Sequence, residues 1–417
     1  MRLGWRGNAE TADVSASPTL RSLAALALLA VPTIAVAPAA AAVATSTRPA
    51  TAQRAHPVGR VQASSRRRRT GRRHVRQAQR RHARHHRHRT GATSAPIAVT
   101  ATAGGITYYV SPSGSDSNSG TSPSQAWQTV KQVDRANLKP GDVVLFQGGA
   151  TFTDDPLMPG WGTDASGTST APITFGSYGQ GRAALPLGIW FNGDDNLVFA
   201  NLALGASSGD SSTGGFQGTG DGITIEGLQI SHVGLGVLSE GNNWRIVDNT
   251  ISYTGDSGML LGFNAGTPGD PPGGSGYLVS QNTITETGLN PALTFGTHGI
   301  YLKVADSTVT DNTITHFNND GISVRYRNNT ITGNTISGGE IGLAWFQYDN
   351  QSGTSDWSNN TLSDLSTVGM FVCGTQEGCR RPLESFHIAG NTIHGAPLGM
   401  NLQPINGTYS VGGNSLP

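Results

Sequence analysis

The sequence predicts an all-β chain wound as a parallel solenoid, and three observations carry that prediction. The first is composition. Of 417 residues 57 are Gly, and only 13% are charged. Such a chain suits turns and short strands better than helices. The second is a recurring phrase, Asn-x-apolar-x. It appears as NLAL at 201, NTIS at 249, NTIT at 282 and 312, NTIS at 334, NTLS at 360, NTIH at 391 and NSLP at 414, with GLQI at 227 in the same series. Successive intervals run from 22 to 33 residues, as expected of one short coil of three strands with insertions. The third is a companion phrase, Gly-apolar-x-apolar, seen as GVLS at 236, GMLL at 258, GIYL at 299, GISV at 321, GLAW at 342, GMFV at 369 and GMNL at 399.

Each phrase assigns positions. The recurring Asn is expected at a tight bend that tolerates left-handed backbone, with its amide stacked on the Asn of the next coil. In the companion phrase, strand period two turns Val237, Met259, Ile300, Ile322, Leu343, Met370 and Met400 inward. Leu261, Leu302, Val324, Trp345, Val372 and Leu402 follow them into the core. The alternate positions face out, and their last column reads Glu240, Gly262, Lys303, Arg325, Phe346, Cys373, Gln403. Lys303 and Arg325 are 22 residues apart, one coil, so they are predicted about 5 Å apart on one exposed sheet.

The chain divides into three parts. Residues 1–45 carry Arg2, Arg6 and Arg21, then LAALALLAVPTIAVAPAAAA with Ala-x-Ala choices near its end. This is the pattern of a secretory signal peptide. The apolar run is short and broken by Pro32 and Pro38, unlike a membrane anchor. Residues 46–105 have little to bury and read as a disordered linker. Within it, residues 66–89 hold 12 Arg and 5 His, whereas from residue 91 onward 10 Lys and Arg against 25 Asp and Glu give −15. A basic arm therefore precedes an acidic body. It is a solvated spacer or a contact to acidic wall or matrix polymers, and export argues against intracellular nucleic acid. Residues 106–417 form the solenoid. Their opening, YYVSPSGSDSNSGTSPSQAWQTVKQVDRANLKPGDVVLFQGG, reads as strand, Gly/Ser loop, helix near 124–138 and strand. A helix there, started by Ser124, would cap the open edge of the first coil.

Insertions gather on one face. Segments 262–276, 346–357 and 373–385 follow outward strands, and 287–297 precedes the strand carrying Lys303. They are expected to wall a groove whose floor is Tyr301, Lys303, Ser323 and Arg325. Cys373 and Cys379, in CGTQEGC, read as a local disulfide in a secreted chain.

With these phrases in place, residues 106–417 resemble the right-handed parallel β-helix, pectate-lyase-like superfamily. Asn-Thr-Ile-Thr, Gly-apolar-x-apolar and the YYVSPSGSDSNSGTS opening carry the resemblance. It implies a single-stranded right-handed parallel β-helix acting on or binding polysaccharide. A partial resemblance to the chondroitinase B and alginate lyase family matches Lys303 to a base and Arg325, one coil later, to an acid. That family also places calcium-binding acids just before the Lys. Here GTHGIYLK has no carboxylate, and His298 stands there instead. Calcium is thus a possible cofactor, and the metal is unassigned.

The chemistry follows from residue type. β-Elimination of a uronate needs its carboxylate neutralised, the C5 proton removed and the leaving oxygen protonated. Arg325 suits the first task. A like charge about 5 Å away lowers the Lys303 pKa toward that of a general base. Tyr301 and His298 are candidates for the proton donor. Arg327, Ser323, Tyr326, Glu240 and Phe346 are candidates for sugar contacts. Three of the body's ten cations fall within 25 residues, which favours an anion site over solvated charge. The competing expectation is pairing with Asp306, Asp311 or Asp320. A glycosidase or epimerase would instead rely on Asp320 or Glu340, and a non-catalytic wall or matrix glycan binder would need neither. The expected protein is a secreted monomer, and its partner an anionic polysaccharide.

Overall fold

The computed structural model describes residues 101, 104–161, 164–205, 215–265, 269–293, 296–348, 350–374 and 382–417. The predicted signal segment, nearly all of the basic arm, and Cys379 lie outside the described residues. Among the described residues, three parallel sheets of twelve, nine and ten strands wrap one core. From Ile173 to Leu402 each coil contributes one short strand to each sheet, the arrangement of a parallel β-helix. One coil shows the pattern: Thr308–Thr310 joins the twelve-stranded sheet, Thr313–Thr315 the nine-stranded sheet and Asp320–Val324 the ten-stranded sheet. Among the described residues no helix is long and apolar enough to cross a membrane.

The Asn phrase opens the nine-stranded sheet. Asn249, Asn282, Asn312, Asn334, Asn360 and Asn391 are buried in register. Each Nδ2 donates to Oδ1 of the next Asn, at 2.9–3.0 Å from Asn249 through to Asn414. The same Oδ1 also accepts the backbone N–H of the preceding Asn, as Asn312 does from Asn282 at 3.0 Å. The second Nδ2 hydrogen reaches a main-chain carbonyl of the preceding coil, as from Asn312 to Val279 at 3.0 Å. The ladder was expected, but from Asn249 onward its bend lies one residue earlier, whereas Asn201 takes the left-handed bend itself, with φ of 55°. Asp248, Gln281, Asp311 and Asn359 take φ of 56–58°, and Gly333 and Gly390 stand in the same place. This leaves the ladder Asn free to orient its amide along the solenoid axis.

The companion phrase builds the ten-stranded sheet. Ile300 pairs with Ile322 and Leu302 with Val324. These four side chains are fully buried with Met259, Leu261, Leu343 and Trp345, as strand period predicts. The leading Gly is there for space. A Cβ at Gly321 would sit 2.3 Å from Cγ2 of Ile336 and 2.8 Å from the carbonyl of Gly342. Any side chain would therefore push neighbouring coils apart.

Near the N-terminal end the structure has a 3-10 turn at Pro123–Gln125 and a five-residue helix, Val130–Asp134. This is shorter than the helix expected over 124–138. Its cap is Thr129, whose side chain accepts from the Gln132 N–H at 3.1 Å, not Ser124. Val130 and Val133 enter the common core.

Candidate functional site

Lys303 directly follows the strand Ile300–Leu302, and Arg325 directly follows Asp320–Val324. The two strands are adjacent and parallel, so the cations stand in one outward column. Both are only 7% exposed, which differs from the predicted open sheet. The insertions close over the cations instead of standing beside them. Tyr348, from the 346–357 insertion, accepts the Gly269 N–H of the 262–276 insertion at its carbonyl (2.6 Å). Tyr326 donates its hydroxyl to the Asp270 carbonyl at 3.1 Å.

Aromatic rings surround the charges. The Arg325 guanidinium carbon lies 4.6 Å from the ring centroids of Tyr301 and Phe346, and 5.4 Å from that of Tyr348. Lys303 Nζ lies 4.7 Å from the Tyr301 centroid. Such contacts stabilise cations partly removed from water. The phenols of Tyr301 and Tyr348 are 3.2 Å apart. Beneath them, Arg325 Nη1 donates to Ser323 Oγ at 2.8 Å, and Ser323 donates to Asp320 Oδ2 at 2.6 Å. His298 packs edge-on to Tyr301, and its Nδ1 lies 3.4 Å from Asp320 Oδ2 without the alignment of a hydrogen bond.

Neither cation forms an ion pair with a described carboxylate. The expected competition from the chain's own acids stops short of an ion pair: Asp320 acts on Arg325, and Asp270 on Lys303, through their charge. Asp306 accepts from Asn328 at 2.8 Å, Asp311 accepts from Thr310 at 3.0 Å, and Asp320 is linked to Arg325 by hydrogen bonds through Ser323. Arg325 Nε and both ring nitrogens of His298 are buried without a hydrogen-bond partner. Uncompensated buried polarity of this kind is costly.

The environment separates the titratable groups. Burial raises the Tyr301 phenol well above its usual range, despite the opposing charge of Arg325. Burial also acts upward on Tyr348, but Arg325, the Tyr301 hydrogen bond and Lys303 outweigh it, and the phenol is lowered. Burial, reinforced by Arg325, lowers Lys303, while Tyr348 and Asp270 oppose that shift. Burial, with Arg325 and Lys303, holds His298 far below the usual imidazole range, hence neutral. Burial lifts Asp320 to about 6.

The structure gathers Tyr301, Lys303, Ser323, Arg325, His298, Asp320 and Phe346 into one cluster. Several predicted roles change. Ser323 and Tyr326 are fully buried and cannot touch a sugar. Ser323 links Arg325 to Asp320, and Tyr326 anchors an insertion. His298, 3% exposed, lies below Tyr301 and not on the groove floor. Phe346 covers Arg325 and leans on Phe371 at 5.4 Å. Arg327 lies in the turn toward Thr330–Thr332, past the strand end. Glu240 is on the same face two strands away and is bonded by Asn264. Glu340 lies in the turn before Ile341–Trp345, accepting from Asn319 at 3.3 Å. Asp320 is 5% exposed and faces Ser323 and Arg325, so it is poorly placed as a glycosidase acid. Tyr348 is the member that strand periodicity missed. The only trace of it was an aromatic in the FQYDNQSG insertion. Among the described residues no group of three His, Cys, Asp or Glu stands together to hold a metal ion.

Comparison with known proteins bears on the fold. Residues 272–415 match the family model described as right handed beta helix region. That match and the three parallel sheets agree on a parallel β-helix fold. Among solved structures, a glycoside hydrolase is 10% identical over 74% of this chain and 96% of that one, with a TM-score of 0.52. A GH136 lacto-N-biosidase from Eubacterium ramulus is 14% identical over 74% and 67%, with a TM-score of 0.49. An alginate lyase from Paenibacillus sp. str. FPU-7 is 18% identical over 69% and 97%, with a TM-score of 0.41. At these identities the likeness is one of fold alone. A search of curated proteins gives no match.

Proposed function

We propose that this β-helix is a polysaccharide lyase that cleaves a uronate-containing glycan by β-elimination at the Tyr301–Tyr348–Lys303–Arg325 cluster. The observation that carries the reading is a pair of buried cations with which no described carboxylate forms an ion pair. A sugar carboxylate supplies the missing charge. The phenols above them have pKa values pushed in opposite directions, which divides acid from base.

Tyr348, the phenol lowered by Arg325 and Lys303, takes the C5 proton. The C–H electron pair forms the C4–C5 double bond, and the C4–O bond breaks. Tyr301, the phenol kept protonated, gives its proton to the leaving oxygen. The proton on Tyr348 then returns to Tyr301 across their 3.2 Å contact. Lys303, expected from its spacing to be the base, becomes part of the electrostatic floor. Acid and base stand side by side, so the elimination is syn. That geometry suits 4-linked D-glucuronate or D-mannuronate, in which H5 and O4 share a face, over D-galacturonate or L-guluronate.

The test is incubation with hyaluronan, polymannuronate, polygalacturonate and polyguluronate, with and without calcium. Unsaturated, ultraviolet-absorbing ends should form from the first two. New reducing ends without unsaturation would instead mark a hydrolase, and binding without turnover a glycan-binding protein. Tyr348→Phe should abolish turnover, while Lys303→Met keeps a measurable fraction. The reverse pattern returns the base role to Lys303.

The remaining expectations complete the proposal. The chain is exported by its first 45 residues and works outside the cell, as a monomer. The basic arm contacts acidic wall polymers. The helix Val130–Asp134 closes the solenoid edge, and Cys373 pairs with Cys379.

A further inference from the structure

We infer a second sugar subsite on the same sheet face, built on Trp161 and Trp190, that holds a neutral ring of the glycan. It deepens the lyase reading by extending the binding surface, and rests on it only for the identity of the whole polymer. Trp190 lies outward on Ile189–Asn192, the terminal strand of the ten-stranded sheet. Four interstrand steps separate that strand from Ile300–Leu302, which precedes Lys303. This puts the subsite roughly 19 Å from the reacting centre. A glycan lying along the solenoid axis would reach both.

The geometry suits a pyranose. The two indole centroids are 5.4 Å apart with planes inclined by 47°, so the rings touch and form a bent platform. It borders a cavity of about 200 Å³ whose lining includes Met158, Asn192 and Asp194. Trp161 is 53% exposed, so one face of its ring is open to a ligand. Its loop is held in place. Asp194 Oδ1 accepts the Ala165 N–H at 3.0 Å, and a Cβ at Gly160, where φ is +71°, would come within 2.4 Å of the same oxygen. Thr219 donates to Asn192 Oδ1 at 2.7 Å, which fixes that amide with Nδ2 as its donor edge. Indole faces stack on the C–H face of a sugar, while Asn192 and Asp194 meet hydroxyls.

The charge of the ring follows from its surroundings. The cavity lining contains no cation. Asp164 and Asp195 add negative field to burial at Asp194. A uronate is therefore disfavoured here, whereas the Lys303–Arg325 end demands one. The two ends together select a glycan that carries a neutral sugar several units from the uronate that is cleaved.

The experiment is calorimetric titration with xylohexaose, cellohexaose, mannohexaose and a hyaluronan hexasaccharide. Wild type, Trp161→Ala and Arg325→Met are compared, with thermal unfolding as the folding control. At least one neutral hexasaccharide should bind wild type, and Trp161→Ala should weaken it about tenfold. Arg325→Met should leave neutral binding unchanged and weaken the acidic hexasaccharide. The proposal is overturned if no neutral hexasaccharide binds wild type, or if Trp161→Ala binds them all as wild type does. Turnover plays no part in this readout. Loss of the lyase reading leaves the subsite standing, and turnover with unaltered Trp161→Ala binding removes the subsite alone.

Discussion

Two regions of this solenoid bury polar side chains in register from coil to coil, and they treat them in opposite ways. In the Asn ladder every amide finds its partners in the coils on either side. In the cation cluster, Arg325 Nε and both His298 nitrogens find none, and no described acid forms an ion pair with Lys303 or Arg325. Satisfied buried polarity fixes a structure. Unsatisfied buried polarity costs stability and persists where a ligand is to complete it. The same repeat therefore yields a scaffold on one sheet and a site on another.

The comparison can be broken most sharply at Arg325. Arg325→Met should cut turnover of the cleaved glycan by about 10²–10³-fold or more. The midpoint of thermal unfolding should hold or rise, because replacing buried charge with apolar volume is often neutral or stabilising. A large fall in that midpoint would make Arg325 structural. Asn312→Ala should do the reverse. It orphans groups on both neighbouring coils, at roughly 1–3 kcal/mol for each unsatisfied group. Denaturant unfolding should show a loss of several kcal/mol, with turnover per folded molecule at low temperature retained.

The smallest effect is a pH dependence. Asp320 titrates near 6 in the folded chain, above its ordinary value of 3.8. The folded state thus holds the proton more tightly, and ionising Asp320 works against folding. Below about pH 4 the group has no effect. As pH rises from 4 to 6 the fold loses on the order of 2 kcal/mol. Asp320→Asn should remove that decline, so its advantage over wild type in unfolding experiments should grow across this window. A constant difference between the two would show that Asp320 is not the titrating group.

The scaffold was legible in the sequence because it repeats. Asn at the same place in successive coils, and apolar residues two apart after Gly, leave few ways to fold. The placement of Lys303 and Arg325 in one outward column was legible for the same reason. Their burial was not. It depends on how insertions 262–276 and 346–357 meet, and insertions carry no period. Tyr348 lies in one of them, so nothing in the strand pattern marks it. From Asn249 onward the bend was misplaced by one residue, because Asn tolerates left-handed backbone, as Asn201 does, and was assigned it. The structure gives that conformation to Asp248, Gln281 and Asp311, and keeps Asn312 and its counterparts for the ladder.

One bond over the site has a wider effect. Coils of a solenoid interact chiefly with their nearest neighbours, so such chains can fray from an end or open in blocks. The hydrogen bond from Gly269 to Tyr348 joins insertions that leave the strands Met259–Leu261 and Ile341–Trp345, three interstrand steps apart. It ties together coils that share no sheet contact. Amide hydrogens between 259 and 348 should therefore exchange with solvent as one cooperative block, slower than those of the terminal coils. The cation cluster would then lie in the part of the solenoid that opens last.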